Sequence, residues 1–453
     1  HVFNAGYGLG GSAMHHYAVW PRFHPEDFQL RSRYDRALDW PLGYGELQAY
    51  YDQIQSEAGI AGDAQQEIWR PPGEPYPLPP VPLFAQGEII ARGFERLGMH
   101  TAPLPLAVTT RSYKDRAVCI WDGWCDAGCP IGALANPLTI HLPVAKKHGA
   151  IVLTDVTVSR ILTTDNGEFA TGVEYRGSNG ETSRLMADLV VLAAFTIQNP
   201  RLLLASATPR HPSGLANSSG TLGTCVMTHS AAMVYGLFDE TTDCHRGATG
   251  GQLVNQDGYD KLTHAEAGAF GSYQWMIAQA VKPNALLGIA ISRPDLFGHD
   301  LHTFIQSAAH HFASMTAVME DLPVAENAVT LDHRRDRFGI PLARVTHTSH
   351  AQSKALWQAG LAEGQTIFKA AGANEVWAGP QGPMHIMGGT IMGTDPANSV
   401  CNEYGQTHDI SNLVVAGAGL FPTSAGVNPT FTILALAARS SEYLLNHWNS
   451  VIP

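Results

Sequence analysis

Residues 412–421, Asn-Leu-Val-Val-Ala-Gly-Ala-Gly-Leu-Phe, carry no charge and run from branched apolar side chains into a string of small ones. A strand takes this form when both its faces are buried, so a central strand is predicted here. A helix should follow at once. Asn428-Pro429-Thr430 sets a cap-type side chain before a proline at the first helical position, and residues 431–438 are almost wholly apolar, as in a helix buried nearly all round. The N-terminus of such a helix points partial positive charge at whatever lies beyond the strand end.

Upstream, His385 stands in Gly-Pro-Met-His-Ile-Met-Gly-Gly-Thr-Ile-Met-Gly-Thr, residues 382–394, where Thr390 and Thr394 are its only side-chain hydrogen-bonding neighbours in sequence. With so few groups to ion-pair it, an imidazole can serve as a base near neutral pH. The bland alternatives are a satisfied core histidine at 385 and a plain helix cap at 428.

The pattern H-I-M-G-G-T-I-M-G-T-D-P from His385, followed by N-L-V-V and F-P-T-S-A-G-V-N-P-T-F-T, closely resembles the C-terminal signature of the glucose-methanol-choline (GMC) oxidoreductases, flavoproteins that oxidise alcohols. The resemblance maps the family's catalytic His and Asn onto His385 and Asn428. It implies an α/β (α+β) fold in which a Rossmann-like FAD-binding domain is interleaved with a sheet-based substrate domain. The division it implies is an FAD-binding domain at 1–38, 148–222 and 384–453, a connecting region at 39–147, and a substrate domain at 223–383.

The chain opens with glycines at 6, 8, 10 and 11. Glycines so clustered let backbone amides approach an anion closely, although such a cluster is usually just a turn. Gly8-Leu-Gly10-Gly11-Ser12 resembles the GMC loop G-x-G-G-S along the flavin pyrophosphate. The further FAD contacts implied are Val156, in a segment near the adenine, and Ala418, Gly419, Asn428, Pro429 and Thr430 near the ring. The expected first βαβ unit with G-x-G-x-x-G is missing, and His1 is no natural start, so the polypeptide is expected to continue upstream. Family members usually carry Gly where Phe195 stands.

Cys119-Ile-Trp-Asp-Gly-Trp-Cys125-Asp-Ala-Gly-Cys129-Pro is the other informative stretch. Three thiols in a glycine-broken loop with Pro after the last read as a metal or iron-sulfur loop. Structural zinc commonly has four ligands at shorter spacers, and a disulfide would strand the third thiol. The C-x5-C-x3-C-P-I-G-A arrangement resembles the catalytic subunits of bacterial FAD-dependent sugar and polyol dehydrogenases, which implies Cys119, Cys125 and Cys129 as ligands of a 3Fe-4S cluster. That branch passes electrons from flavin to a multihaem cytochrome c subunit and is exported with a small chaperone-like subunit, so a periplasmic location, membrane-associated through a partner, is expected. A disulfide between Cys225 and Cys244 is conceivable in an exported protein, and Cys401 reads as a buried thiol.

Lys+Arg 28 against Asp+Glu 40, a net charge of −12, argues against nucleic acid and anionic membranes as main partners. A neutral small-molecule substrate or a basic protein fits better. No apolar run is long enough to span a bilayer. Residues 39–61 read as a turn and an amphipathic helix with Leu47, Tyr50, Tyr51 and Ile54 on one side, and 71–82 as an extended proline-rich surface connection. Between 151 and 195 an alternating β pattern carries hairpin turns at Asn166-Gly167 and Asn179-Gly180. It ends in a buried strand at 188–195, after which Asn199-Pro200 starts a helix over 201–205. The region 223–379 is the least legible, with a short strand expected at 285–291 and a helix at 349–371. His229, His310, His311 and His347 within it read as structural or surface histidines.

The mechanism expected is proton removal from an alcohol by His385, orientation of its oxygen by Asn428, and hydride transfer to FAD. Two alternatives stand beside it: a GMC alcohol oxidase using dioxygen, with cysteines that are only structural, and a non-catalytic electron-transfer or scaffold subunit.

Overall fold

The structure, a computed structural model, describes residues 5–453. The first residues of the glycine-rich opening, including His1, lie outside that range.

The largest element is a seven-stranded antiparallel sheet from the region that the sequence left least legible. Its order is Ala102–Pro103, Leu253–Asn255, Tyr273–Ile277, Phe312–Met319, Met227–Leu237 and Glu375–Ala378, with Gly382–Met387 pairing farther along Met227–Leu237. The central strands are buried on both faces, and both faces are covered. On one side Trp275, Ile277, Met315 and Ala317 pack against the helices Ala85–Arg96 and Ala351–Ala371. On the other, Val254, Met276 and Val318 meet Leu104, Leu106 and Cys125.

The second unit is a parallel pair, Val190–Leu192 beside Leu413–Val415, with the helix Thr430–Asn446 following. Both strands are shorter than the predicted 188–195 and 412–421, because the small residues from Ala416 onward leave the ladder and turn. The helix is buried or half-buried all round through Ser440, as its composition required. It packs on Tyr44–Ala58, where Tyr51 and Thr432 share a 2.6 Å hydrogen bond. Leu47, Tyr51 and Ile54 are buried there and Tyr50 packs at the edge, as the amphipathic period predicted.

A three-stranded meander, Val156–Thr163, Ala170–Gly177 and Thr182–Met186, turns at Gly167 and Gly180, both with positive φ. Asn412 clamps it to the parallel pair, accepting from Ala170 N at 2.8 Å and donating to Ala170 O at 2.7 Å and Asp188 O at 2.8 Å. The helix Gln198–Ala205 takes in the Asn199-Pro200 start signal and so begins three residues before the predicted 201, and Ala351–Ala371 begins close to its expected place. Phe195 adopts φ 84°, the left-handed conformation that glycine takes most easily.

One element differs in kind. Residues 285–291, predicted as a strand, belong to the helix Pro283–Ile289 and the turn Ala290–Ser292. Pro283 stands at the first helical position with Lys282 extended before it, so a helix start signal lay just outside the apolar run.

Candidate active site

His385 and Asn428 meet. His385 Nε2 lies 3.2 Å from Asn428 Nδ2, although the two residues come from different elements. His385 is carried by Gly382–Met387, whose register against Met227–Leu237 slips between Met384 and Ile386. His385 is thus the extra residue of a bulge, held at φ 56°, and the bulge re-aims its side chain. Thr228 Oγ1, donating to Met384 O at 2.9 Å, pins the strand at that point.

Asn428 precedes the helix Thr430–Asn446 but does not cap it. Pro429 occupies the N-cap position with no side-chain cap hydrogen bond, so the expected role of Asn428 as a cap is corrected. Its amide is engaged elsewhere: Gln274 Nε2 donates to Asn428 Oδ1 at 2.8 Å, which turns Nδ2 toward His385. Gln256 Nε2 donates in turn to Gln274 Oε1 at 3.0 Å, and Gln256 Oε1 faces His24 Nε2 at 3.1 Å. The main chain is wedged nearby, since a Cβ on Gly426 would stand 2.5 Å from Ser272 Oγ and 2.7 Å from Ser272 O.

On its other side His385 meets His229. The two Nδ1 atoms are 2.9 Å apart with the rings at 85°. His229 is fully buried, and its Nε2 faces Ala425 O at 2.9 Å and Ser424 O at 3.1 Å. Burial pushes the His385 imidazolium well below its ordinary pKa, with the neighbouring His229 adding to the effect. Burial likewise lowers His229 to about 4. His385 is therefore neutral at pH 7 and has a lone pair to offer.

The sequence assigns Gln274 no role and reads His229 as a structural or surface histidine; His229 is a buried one, and it touches His385. Gln274 had left a signal, an uncharged polar side chain inside the apolar run Tyr-Gln-Trp-Met-Ile, which has to find a buried partner.

The residues expected around a flavin are arranged as follows. Gly388 N donates to Ala418 O and Thr390 N to Gly419 O, both at 3.0 Å, so the Gly-Gly-Thr run lies along the Ala418-Gly419 turn. Gly417 in that turn has φ 106° and no atom within 4 Å of a Cβ position, so it opens on free space. Thr390 Oγ1 is buried without a hydrogen-bond partner. The first turn of Thr430–Asn446 holds no acidic residue. An open glycine turn, an orphan hydroxyl and an uncapped helix N-terminus fit a hydrogen-bonding, electron-accepting ring.

In the N-terminal loop Gly8, at φ 120°, also faces open space, while Gly10 and Gly11 take positive φ. Ser12 Oγ is occupied, accepting from Gly6 N at 2.9 Å. Val156 begins the meander, partly exposed and paired with Gly177.

The thiol loop lies against these same elements. His15 Nδ1 is 3.2 Å from Asp126 O, tying the loop to the N-terminal glycine segment. Cys125 and Cys129 pack in the apolar cluster that Met384, the neighbour of His385, also joins. The thiols are near enough for Cys125 and Cys129 to add to the shift of Cys119, which desolvation chiefly pushes up to about 12. Among the described residues no three His, Cys, Asp or Glu side chains converge as ligands of a metal ion, so Cys119, Cys125 and Cys129 are not drawn into one ligand set. All six cysteines are free, which corrects the conceivable disulfide between Cys225 and Cys244.

Residues 1–231 and 323–437 match the N-terminal and C-terminal parts of GMC oxidoreductase. The chain belongs to the GMC oxidoreductase family. It is 33% identical to 2-methyl-1,2-propanediol dehydrogenase of Mycolicibacterium austroafricanum, over 98% of this chain and 82% of the relative. It is 30% identical to the fructose dehydrogenase large subunit of Gluconobacter japonicus, over 97% and 80%. Among solved structures, formate oxidase of Aspergillus oryzae, whose FAD modification was probed by mutation, superposes with a TM-score of 0.65 at 14% identity, covering 98% of this chain and 85% of that one.

Proposed function

We propose that this chain is the catalytic part of an FAD-dependent dehydrogenase that oxidises a sugar, polyol or other alcohol. The observation that carries the reading is the approach of a neutral, buried imidazole to a fixed carboxamide, His385 Nε2 to Asn428 Nδ2 at 3.2 Å. An alcohol carbon releases hydride only as its hydroxyl proton leaves, so the oxygen needs a base and a donor beside it. His385 Nε2 takes the hydroxyl proton, and Asn428 Nδ2 donates to the same oxygen and turns the carbon toward the acceptor.

FAD, when bound, supplies the hydride-accepting chemistry that no side chain offers. Gly8, Gly10, Gly11 and Ser12 are assigned to its pyrophosphate, Val156 to the adenine side, and Ala418, Gly419, Pro429 and Thr430 to the ring. The helix N-terminus at Thr430 favours negative charge there. The division into an FAD-binding domain (1–38, 148–222, 384–453) and a substrate domain (223–383) belongs to the same reading. Its support is that the dehydrogenase relatives are named for a diol and for fructose. Anaerobic mixing with a panel of alcohols and sugars tests it: bleaching of the flavin absorbance is expected for at least one polyol, and no bleaching by any sinks the reading.

The finer proposal is that Cys119, Cys125 and Cys129 hold a 3Fe-4S cluster, which would supply one-electron transfer to a multihaem cytochrome c partner. It is supported by the C-x5-C-x3-C spacing and by the contact of the loop with the N-terminal glycine segment. The fructose dehydrogenase relative is itself named a large subunit. A small chaperone-like subunit and a periplasmic location, with membrane attachment through a partner, go with it. No helix among the described residues is long and apolar enough to cross a membrane.

A second reading, a GMC oxidase with structural cysteines, is favoured by thiols that do not converge on a common ligand point among the described residues. Iron content together with dioxygen consumption separates the two.

A further inference from the structure

We propose that His229 is a positioning residue that fixes the ring tautomer of His385, leaving the bare nitrogen of the base on the side of Asn428. The proposal rests on the assignment of His385 as the base and concerns how that base is held.

The argument follows the protons. His229 Nε2 faces two main-chain carbonyls, Ala425 O at 2.9 Å and Ser424 O at 3.1 Å, and carbonyls only accept. This nitrogen therefore carries a proton. The other nitrogen, Nδ1, stands 2.9 Å from His385 Nδ1, a separation at which the pair needs one proton between them. Two protons would collide, and none would set lone pair against lone pair. A neutral His229 has already placed its proton on Nε2, so the shared proton belongs to His385 Nδ1. A neutral His385 then has its lone pair on Nε2, the atom that Asn428 Nδ2 approaches at 3.2 Å.

The reverse tautomer conflicts with both neighbours. It would turn a proton on His385 Nε2 toward the Asn428 amide hydrogens, and Asn428 cannot flip to accept it without giving up the hydrogen bond from Gln274. His229 is itself fixed. Its carbonyl partners lie in a segment locked where Ser424 Oγ donates to Asp321 O at 2.8 Å and Gly426 fits against Ser272. Burial keeps its ring neutral at pH 7 even though the Asp321 and Asp27 carboxylates draw the other way. A neutral imidazole donates from one ring nitrogen and accepts at the other, which is what this place between the Ser424–Ala425 carbonyls and His385 asks for.

The test reads the tautomer directly. In 15N-histidine-labelled protein, His385 is identified by the resonances lost in His385→Ala, and its ring nitrogens are expected to report a proton on Nδ1 and a bare Nε2. In His229→Leu that signature is expected to disappear, and anaerobic flavin reduction by the best alcohol to fall about 100-fold. In His229→Asn, whose Oδ1 can stand where Nδ1 stood and accept, both are expected to return, the rate to within about tenfold of native. A native His385 protonated on Nε2 overturns the proposal, as does a His229→Leu protein with unchanged tautomer and rate, or a His229→Asn protein no better than His229→Leu. If the leucine variant does not fold, the native tautomer and the asparagine variant decide. Should His385→Ala reduce its flavin at the native rate, the base assignment fails, while the tautomer measurement still judges His229.

Discussion

Two parts of this molecule attracted attention for opposite reasons. His385 and Asn428 are far apart in sequence, and neither is remarkable in composition alone. Cys119, Cys125 and Cys129 are packed into one short loop. The fold brings the distant pair to 3.2 Å and engages both partners on their far sides, by His229 and Gln274. It leaves the local trio as free thiols with no common ligand point among the described residues. Spacing in sequence is thus a weaker guide to convergence than the hydrogen bonds that hold each side chain. The polypeptide pre-forms the histidine site by itself, whereas the thiol loop presents no pre-formed ligand set among the described residues.

The largest effect should come from removing the base. His385→Ala is expected to lower the anaerobic rate of flavin reduction by about 100- to 10,000-fold with FAD still bound, measured by stopped-flow absorbance. A rate within threefold of native would place the proton abstraction elsewhere. If the loop holds the proposed cluster, Cys125→Ser should leave that rate nearly unchanged but remove the iron and abolish reduction of cytochrome c. Iron content and cytochrome reduction both equal to native would show the thiol loop to be structural, and the contrast between the two regions would deepen. A smaller effect is expected from Gln274→Leu. Losing the donor to Asn428 Oδ1 frees the amide to rotate, and kcat should fall about tenfold with little change in KM, because an orienting contact has gone and not a proton acceptor.

How far these two regions could be read in advance depends on the range of the interactions that make them. The helix Tyr44–Ala58 and the hairpins at Gly167 and Gly180 were legible because amphipathic period and Asn-Gly turns are local properties. The end of the strand Leu413–Val415 was not, since Ala416-Gly417-Ala418-Gly419 carries no polar stop and the chain turns there to run along Gly388-Gly389-Thr390. The strand expected at 285–291 failed because an apolar run of that length suits either structure, and Pro283 was the better signal. His385 and Asn428 were found through a resemblance to a family signature. The bulge at φ 56° that aims His385, and the His229 ring behind it, depend on strand pairing across long sequence separations, which no neighbouring residue announces.

The smallest predicted effect is a rate that does not move. A histidine base with an ordinary pKa near 6.5 would be about nine-tenths protonated at pH 5.5, and flavin reduction would drop about tenfold between pH 7.5 and 5.5. His385 is held well below that value, by burial first and by His229 second, and the group facing it on the other side, Asn428, is uncharged. Only the protonated ring is inactive, so the neutral plateau extends to lower pH, and reduction should change less than about twofold over the same range. Stability has to move over that range. His229 and His16, each lowered to about 4 chiefly by burial, bind fewer protons folded than unfolded, so their contribution is complete above pH 6.5 and is lost as pH falls toward 4. Denaturant midpoints should therefore decline from pH 6.5 downward while the reduction rate of the surviving folded enzyme stays level. A rate and a midpoint that fell together would mean that His385 titrates as an exposed ring, and the buried pair would lose its distinction from the thiol loop.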